Sequence, residues 1–261
     1  MPGQKIAVVG ATGRVGRYVM GELERRGFAA VPIARSVGVD VITGSGLAEA
    51  LDRVDALVDA ATGPSPDQKE ATAFFTTAAS NMHRAGVTAG VSRMVSVSII
   101  GVDRFTAGYG LAKQRHEDSI LSGPIPAQVI RASQFHEFVP LLITWGRQGD
   151  ISHLQEAKIQ PIAARSVAHD LIEAVTGDWA STPEPIVEIA GPREESLVAL
   201  AGLWAARYGD PVVIEGISNA ADPDHELHES GALLPSPGAR LVGPTFEEWL
   251  ESDDARAASS A

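Results

Sequence analysis

The stretch VVGATGRVGRY sets Gly10, Gly13 and Gly16 at three-residue spacing directly after the apolar run Ile6 to Val9. An apolar run this short, closed by glycine, suits a buried parallel strand. From Arg14 to Arg26 the spacing of Val15, Val19 and Leu23 makes one helical face, and Gly27 ends it. Strand, glycine turn and helix in that order open a βαβ unit. Glycines allow a sharp turn and close approach to backbone, and the amides at a helix start attract an anion. Gly10 and Gly13 are the candidates for turn and approach, Gly16 for helix-to-sheet packing, with Thr12, Arg14 and Val15 completing the loop. The spacing is GxxGxxG, so a tight βα connection without ligand satisfies it as well.

Strand and helix periods then alternate through the first 130 residues. Strand candidates are Ala30 to Ala34, Val39 to Thr43, Asp55 to Ala60, Arg93 to Ile99 and Ala127 to Ala132; helix candidates are Leu47 to Leu51, Gln68 to Ala85 and Leu111 to Leu121. Pro32 weakens the second strand, being easier to place near a strand start than in its middle. Repeated units of this size predict an α/β fold with a doubly wound, mostly parallel sheet covered by helices. Farther on, Phe138 to Trp145, Val167 to Val175 and Leu197 to Tyr208 suit helices, while Ile159 to Ala163, Ile186 to Gly191 and Val212 to Ile214 suit strands. The expected division is a nucleotide-binding core over 1–150, a mixed region with a small substrate lobe over 151–250, and a flexible tail over 251–261.

Composition narrows the partners. The 261 residues include no cysteine, which removes disulfides, thiolate nucleophiles and thiolate metal sites and agrees with a cytoplasmic setting. A formal charge of -12 disfavours nonspecific attraction to nucleic acid or anionic membrane. The strand-like run begins within a few residues of Met1, leaving no room for a leader, and no apolar run approaches the roughly 18 residues of a membrane span. His225 and His228 lie among acidic residues without a compact metal-ligand pattern, so no metal is expected.

GATGRVG, together with MVSVSIIGVD, the tyrosine and lysine of YGLAK, and VIRASQFHEF, resembles the NmrA-like branch of the atypical and extended short-chain dehydrogenase/reductases. IAARSVAHDL, EIAGP and TFEEWL extend the likeness more loosely. The resemblance implies a Rossmann domain that binds a dinucleotide, with a smaller substrate lobe. An acidic residue after the second strand would favour a free ribose hydroxyl, whereas arginine accommodates a 2'-phosphate. Here PIARS supplies Arg35 and Ser36 and the glycine turn supplies Arg14, which favours NADP(H); NAD(H) is the alternative, with Asp40 near the ribose. Ala61 and Thr62, after the fourth strand candidate, are expected at the cofactor, while Asp59 either closes a turn or contacts it.

The resemblance also implies a catalytic set. Tyr109 would transfer a proton, Lys113 one helical turn later would lower its pKa and hold the nicotinamide ribose, and Ser98 would donate to the same substrate oxygen. Ser96 is the reserve for Ser98. After the strand ending near Ala132, Ala132 and Ser133 are expected against the carboxamide edge, and Gln134, Phe135 and His136 against substrate. The expected activity is NADPH-dependent reduction of a small carbonyl or quinone-like molecule; the alternative is a noncatalytic NADP-binding regulator. A homo-oligomer or a regulatory protein partner stays open.

Overall fold

The computed structural model describes residues 3–179, 184–210 and 212–259. In chain order the elements are β1 (Lys5–Val9), α1 (Gly16–Arg25), β2 (Ala29–Ile33), α2 (Leu47–Ala50), β3 (Ala56–Asp59), α3 (Gln68–Ala89), β4 (Arg93–Ile99), α4 (Gly108–Leu121) and β5 (Ala127–Ala132). They continue as α5 (Val139–Gly146), β6 (Arg147–Gln148), β7 (Ile151–Gln155), β8 (Lys158–Ile159), α6 (Ala164–Thr176), β9 (Ile186–Ala190), β10 (Glu195–Ser196) and α7 (Leu197–Tyr208). The last are β11 (Val213–Ile217), α8 (His225–Glu229), β12 (Arg240–Leu241), α9 (Phe246–Leu250) and α10 (Asp253–Ser259). Seven strands form one sheet in the order β12-β9-β5-β4-β3-β1-β2, and β1 pairs in parallel with both β2 and β3. Strand order reverses direction between β1 and β3, the pattern of a doubly wound Rossmann-like sheet.

The chain divides into two compact units, each assembled from separated segments. The first comprises Met1–Asp103, Ala107–Arg131 and Val167–Val187; the second comprises Arg104–Thr106, Ala132–Ser166 and Glu188–Ala261. The sequence suggested boundaries near residues 150 and 250, whereas these units are interleaved along the chain. Within the segment expected as a tail, Asp253–Ser259 is helical.

In the first unit, Ile6 to Val9 of β1 and the four residues of β3 are all buried, apolar throughout except for Asp59 at the end of β3. Pro32 is the fourth residue of β2, not an early one. It is tolerated because β2 ends the sheet and needs hydrogen bonds on one side only. Asp67 caps α3 by accepting the amides of Lys69 and Glu70 at 2.9 and 3.0 Å. α4 starts at Gly108, whose amide donates to Gln68 Oε1 at 2.8 Å, so the beginnings of α3 and α4 are tied together. Arg131 of β5 grips Glu117 of α4 through Nε at 3.0 Å and Nη2 at 2.8 Å.

The expected strand over Val39 to Thr43 is instead a turn. Asp40 Oδ1 accepts the Ile42 amide at 2.8 Å, its carbonyl accepts the Gly44 amide at 2.8 Å, and Gly44 stands at φ 78°. Local bonds of this kind compete successfully with a ladder when an Asp and two glycines lie so close.

The second unit has a sheet in the order β11-β7-β6, the antiparallel pair β10 and β8, and a core in which Val139, Ile143, Leu200, Trp204, Phe246 and Trp249 are buried together. Thr245 and Glu248 form a reciprocal capping box at the start of α9, which fixes the TFEEWL segment.

Backbone meets backbone very closely at the glycine turn. A Cβ on Gly16 would lie 2.1 Å from the Gly10 carbonyl oxygen, whereas a Cβ on Gly21 in the same helix would meet nothing within 4 Å. Gly16→Ala is expected to lower unfolding stability by about 2–4 kcal/mol, since backbone must move. Gly21→Ala is expected to be neutral or stabilising by about 0.5–1 kcal/mol. Urea denaturation of the two variants checks this, and equal midpoints would contradict the close packing of α1 on the turn.

Candidate functional site

A cavity of about 670 Å³ opens in the first unit where the ends of β1, β2 and β3 come together. That is the crevice at which an open α/β sheet binds ligands, and its size is in the range of small-molecule sites. Gly10, Thr12 and Gly13 line it from the glycine turn, Arg35 and Ser36 from the end of β2, and Ala60, Ala61 and Thr62 from the end of β3. The turn Val39 to Ile42 forms another wall, and Glu70, Ala73, Phe74 and Thr77 of α3 contribute a third.

Backbone geometry explains the glycines. Gly10 stands at φ 74°, and a Cβ there would come within 2.6 Å of the Ala60 carbonyl oxygen. Its amide donates to the Ile33 carbonyl at 2.9 Å, so the turn is stitched to both neighbouring strands. Gly13 is exposed and lines the cavity, where a Cβ would press on the Gly10 carbonyl at 3.1 Å. A backbone cradle bare of side chains at a helix start is what a pyrophosphate needs.

Several expected cofactor residues stand elsewhere. Gly16 is buried against the turn, and Val15, only 5% exposed, belongs to the core; neither lines the cavity. Arg14 is not part of the lining either, which leaves Arg35 as the arginine in the cavity wall. Asp40 does line the cavity, with its carboxylate engaged by the Ile42 amide. Nothing in the sequence pattern marked Asn81, yet its side-chain amide on α3 donates to the carbonyls of Val41 and Ile42 at 2.9 and 2.8 Å, pinning that wall.

The candidate catalytic residues share the first unit. Tyr109 lies in the first turn of α4, half-buried, with its ring edge-on to Phe75 at 5.8 Å. Burial, reinforced by the Asp59 charge, pushes its pKa up to about 12. Lys113 differs from expectation. It is buried, donates from Nζ to the Val97 carbonyl at 2.9 Å, lies 3.0 Å from His116 Nδ1, and sits 4.7 Å from the Phe75 ring centroid. The ammonium points inward because a backbone carbonyl, an imidazole and an aromatic face satisfy it there. Its ammonium is engaged by these groups, and the Tyr109 pKa stands raised, not lowered. Its own pKa is drawn down to about 8 by burial, against the opposing pull of Asp59 and Glu117.

Ser96 and Ser98 are both buried on β4, but their hydroxyls differ. Ser96 Oγ donates to Asp59 Oδ2 at 2.9 Å, whereas Ser98 Oγ has no hydrogen-bond partner among the described residues. Asp59 itself closes the turn after β3, accepting the Ala61 amide at 3.1 Å, and His116 Nε2 lies 2.9 Å from its Oδ2. Burial works to raise the Asp59 pKa, yet His116, Lys113 and the Ala61 amide together hold it below the ordinary value. His116 is held below its ordinary value by burial and by Lys113. The signal for this group was present in the sequence as a Lys and His three residues apart on one helix, below an apolar strand that ends in Asp.

The residues assigned to carboxamide and substrate contact belong to the second unit. Ala132 and Ser133 are buried, the Ser133 amide donates to the Ile189 carbonyl at 3.0 Å, and its hydroxyl donates to Gln134 Oε1 at 3.0 Å. Phe135 bridges to Ile162 and stacks on Phe138 at 5.6 Å. His136 is a correction: it is fully buried, its Nε2 is 3.2 Å from the Pro244 carbonyl, and Phe246 and Trp249 each lie 5.4 Å from its ring. Burial pulls its pKa down to about 4, so it is a neutral packing residue with no surface for a substrate. Among the described residues no cluster of His, Asp or Glu could hold a metal ion, and no helix is long and apolar enough to cross a membrane.

The lysine fixes a pH prediction. Its pKa is about 8 in the fold against 10.5 ordinarily, so between these values the unfolded chain holds more protons and stability rises with pH. Over the whole window the rise is on the order of 3 kcal/mol. Lys113→Met is expected to lose this component, seen as a flatter dependence of the urea midpoint from about pH 8 to about pH 10; parallel profiles for the two proteins would refute it.

No protein-family model matches the sequence, and no curated protein matches it. Solved structures do. The MoeE5 protein in complex with UDP-glucose and NAD is 15% identical, with 98% of this chain and 100% of that one covered and a TM-score of 0.73. A short-chain dehydrogenase/reductase superfamily protein from Agrobacterium tumefaciens with bound NAD is 18% identical over 98% of this chain and 97% of that one, TM-score 0.64. An NADPH-dependent quinone oxidoreductase from Escherichia coli, complexed with NADPH, is 18% identical over 94% and 98%, TM-score 0.65. At these identities the likeness is one of architecture: the chain shares the Rossmann-like fold of these structures.

Proposed function

We propose that the chain is an NAD(P)-dependent oxidoreductase that uses NADP(H), with NAD(H) as the alternative, to reduce a small carbonyl or quinone-like compound. The observation that carries this is the cavity of about 670 Å³ in which a bare glycine turn, Arg35 with Ser36, and the β3 crest face one space. The residues fit the cofactor. Thr12 and Gly13 would hold the pyrophosphate, Arg35 and Ser36 a ribose 2'-phosphate, and Ala61 and Thr62 the far ribose. When bound, the nicotinamide supplies the hydride.

The chain supplies the proton chemistry. With a pKa of about 12, Tyr109 keeps its proton at Oη at neutral pH, which suits a donor in reduction and not a base in alcohol oxidation. Ser98 offers a buried hydroxyl not committed to any other group. The NmrA-like assignment, a cytoplasmic setting and a diffusible small-molecule substrate belong to the same proposal, as do an oligomeric or regulatory partner. Lys113 turned inward favours one competing reading, a dinucleotide-binding regulator without turnover.

Fluorescence titration with NADPH and NADH tests the cofactor reading. Arg35→Ala is expected to weaken NADPH binding about tenfold or more while leaving NADH nearly unchanged, as loss of a charge-assisted phosphate contact should. Arg14→Ala should shift it less. Tyr109→Phe is expected to lower kcat for aldehyde, ketone or quinone reduction by about 100-fold with cofactor affinity retained. Equal NADPH affinities for wild type and Arg35→Ala would remove the phosphate assignment. Tight NADPH binding with no consumption across the substrate panel would replace the reductase by the regulator.

A further inference from the structure

Behind the cavity, four polar side chains form a continuous buried strut through the first unit. Asp59 ends β3 with no exposure to solvent, and its Oδ1 accepts the amide of Ala61, which lines the cavity. Its Oδ2 accepts Ser96 Oγ at 2.9 Å and stands 2.9 Å from His116 Nε2. His116 Nδ1 meets Lys113 Nζ at 3.0 Å, and Nζ also donates to the carbonyl of Val97 on β4, one residue before Ser98. Phe75 of α3 closes the side, stacked on the His116 ring at 4.6 Å.

Proton positions follow from the donors. An ammonium has no acceptor, so His116 Nδ1 accepts from Lys113, and the remaining ring proton stands on Nε2, which lies 2.9 Å from Asp59 Oδ2 as a close charge contact and not as an aligned hydrogen bond. The charged and titratable groups around this ring are Asp59 from β3, and Lys113, Glu117 and Tyr109 from α4; Ser96 of β4 adds a neutral hydroxyl and α3 presents the Phe75 face. A buried polar group of this kind gives a core little that apolar side chains would not, but it does orient what it touches. What it touches here is the Ala61 amide at one end and the β4 backbone at the other.

We propose that His116 is a positioning residue for the dinucleotide cavity: through Asp59 it holds the Ala60 to Thr62 crest in its binding geometry. The proposal rests on the dinucleotide reading above. Two substitutions separate the two ring nitrogens. Glutamine at 116 places an amide donor near the former Nε2 and keeps the contact to Asp59, while asparagine places an acceptor near Nδ1 and abandons Asp59.

The experiment measures NADPH affinity, thermal midpoint and amide hydrogen exchange over the peptide spanning residues 59–63, the last without nucleotide. His116→Gln is expected to bind NADPH within about threefold of wild type, and His116→Asn about tenfold more weakly, with faster exchange in that peptide. Ser96→Ala, which removes the hydroxyl that donates to Asp59, is expected to follow His116→Asn and serves if that variant does not fold. Affinity and exchange that track the thermal midpoint alone, or folded His116→Asn and Ser96→Ala proteins with wild-type affinity, would overturn the proposal. A wild type that binds neither NADPH nor NADH would instead remove the dinucleotide reading, and this inference with it.

Discussion

A helix can begin against the carbonyl of Gly10 only if the residue facing that carbonyl has no side chain. Gly16 meets this condition, and a Cβ there would stand 2.1 Å from the oxygen. The approach carries α1 onto the turn, which in turn lies on Ala60 at the end of β3 and donates to Ile33 at the end of β2. Three strand ends and one helix start are thereby brought to a single point, and the cavity is the space left at their crest. The glycines consequently divide the labour. Gly10 and Gly16 make the packing possible, and Gly13 alone of the three combines exposure with a place in the cavity wall.

The same crest carries an unusual internal arrangement. Carboxylate, hydroxyl, imidazole and ammonium groups are sheltered from water between β3, β4 and α4, where each would be costly alone. They are tolerable together because each has a partner: Ser96, His116 and the Ala61 amide surround Asp59, while Val97 and the Phe75 face receive Lys113. The consequence reaches Tyr109. An inward lysine leaves the tyrosine dominated by burial and by the Asp59 charge, so its proton is held firmly. In this fold the buried surroundings, not the spacing of Tyr and Lys, set the protonation of Tyr109.

Much of the sheet was readable from the sequence because short apolar or alternating runs bounded by turn residues have few places to go. Arg93–Ile99 and Ala127–Ala132 are strands with the bounds their patterns suggested, and Leu197–Tyr208 is the helix its period implied. Val39 to Thr43 misled because apolar alternation is not sufficient when Asp40, Gly44 and Gly46 can close a turn within themselves. At the site, the glycine turn and PIARS were legible since backbone clearance and charge are local properties. The inward course of Lys113, the burial of His136 and the role of Asn81 were not. Each depends on atoms brought from far along the chain, such as Val97, Pro244 and the Val41 carbonyl.

Cofactor choice in this cavity is a contest between neighbours on one short stretch. Arg35 and Asp40 both line it, and one suits a 2'-phosphate while the other suits a ribose hydroxyl. Asp40 is the less available of the two: Oδ1 accepts the Ile42 amide, and its own amide and carbonyl close the turn with Ser45 and Gly44. Asn81 fixes that turn from behind through two carbonyls, and Arg84 in its turn donates to Asn81 Oδ1 at 2.7 Å. A carboxylate used this way is a structural acceptor first, and reorienting it toward a ribose would undo the wall on which it stands. Arg35 is exposed just after β2 and lines the cavity. What differs between the two residues is not charge alone but engagement: the turn has already used the Asp40 carboxylate.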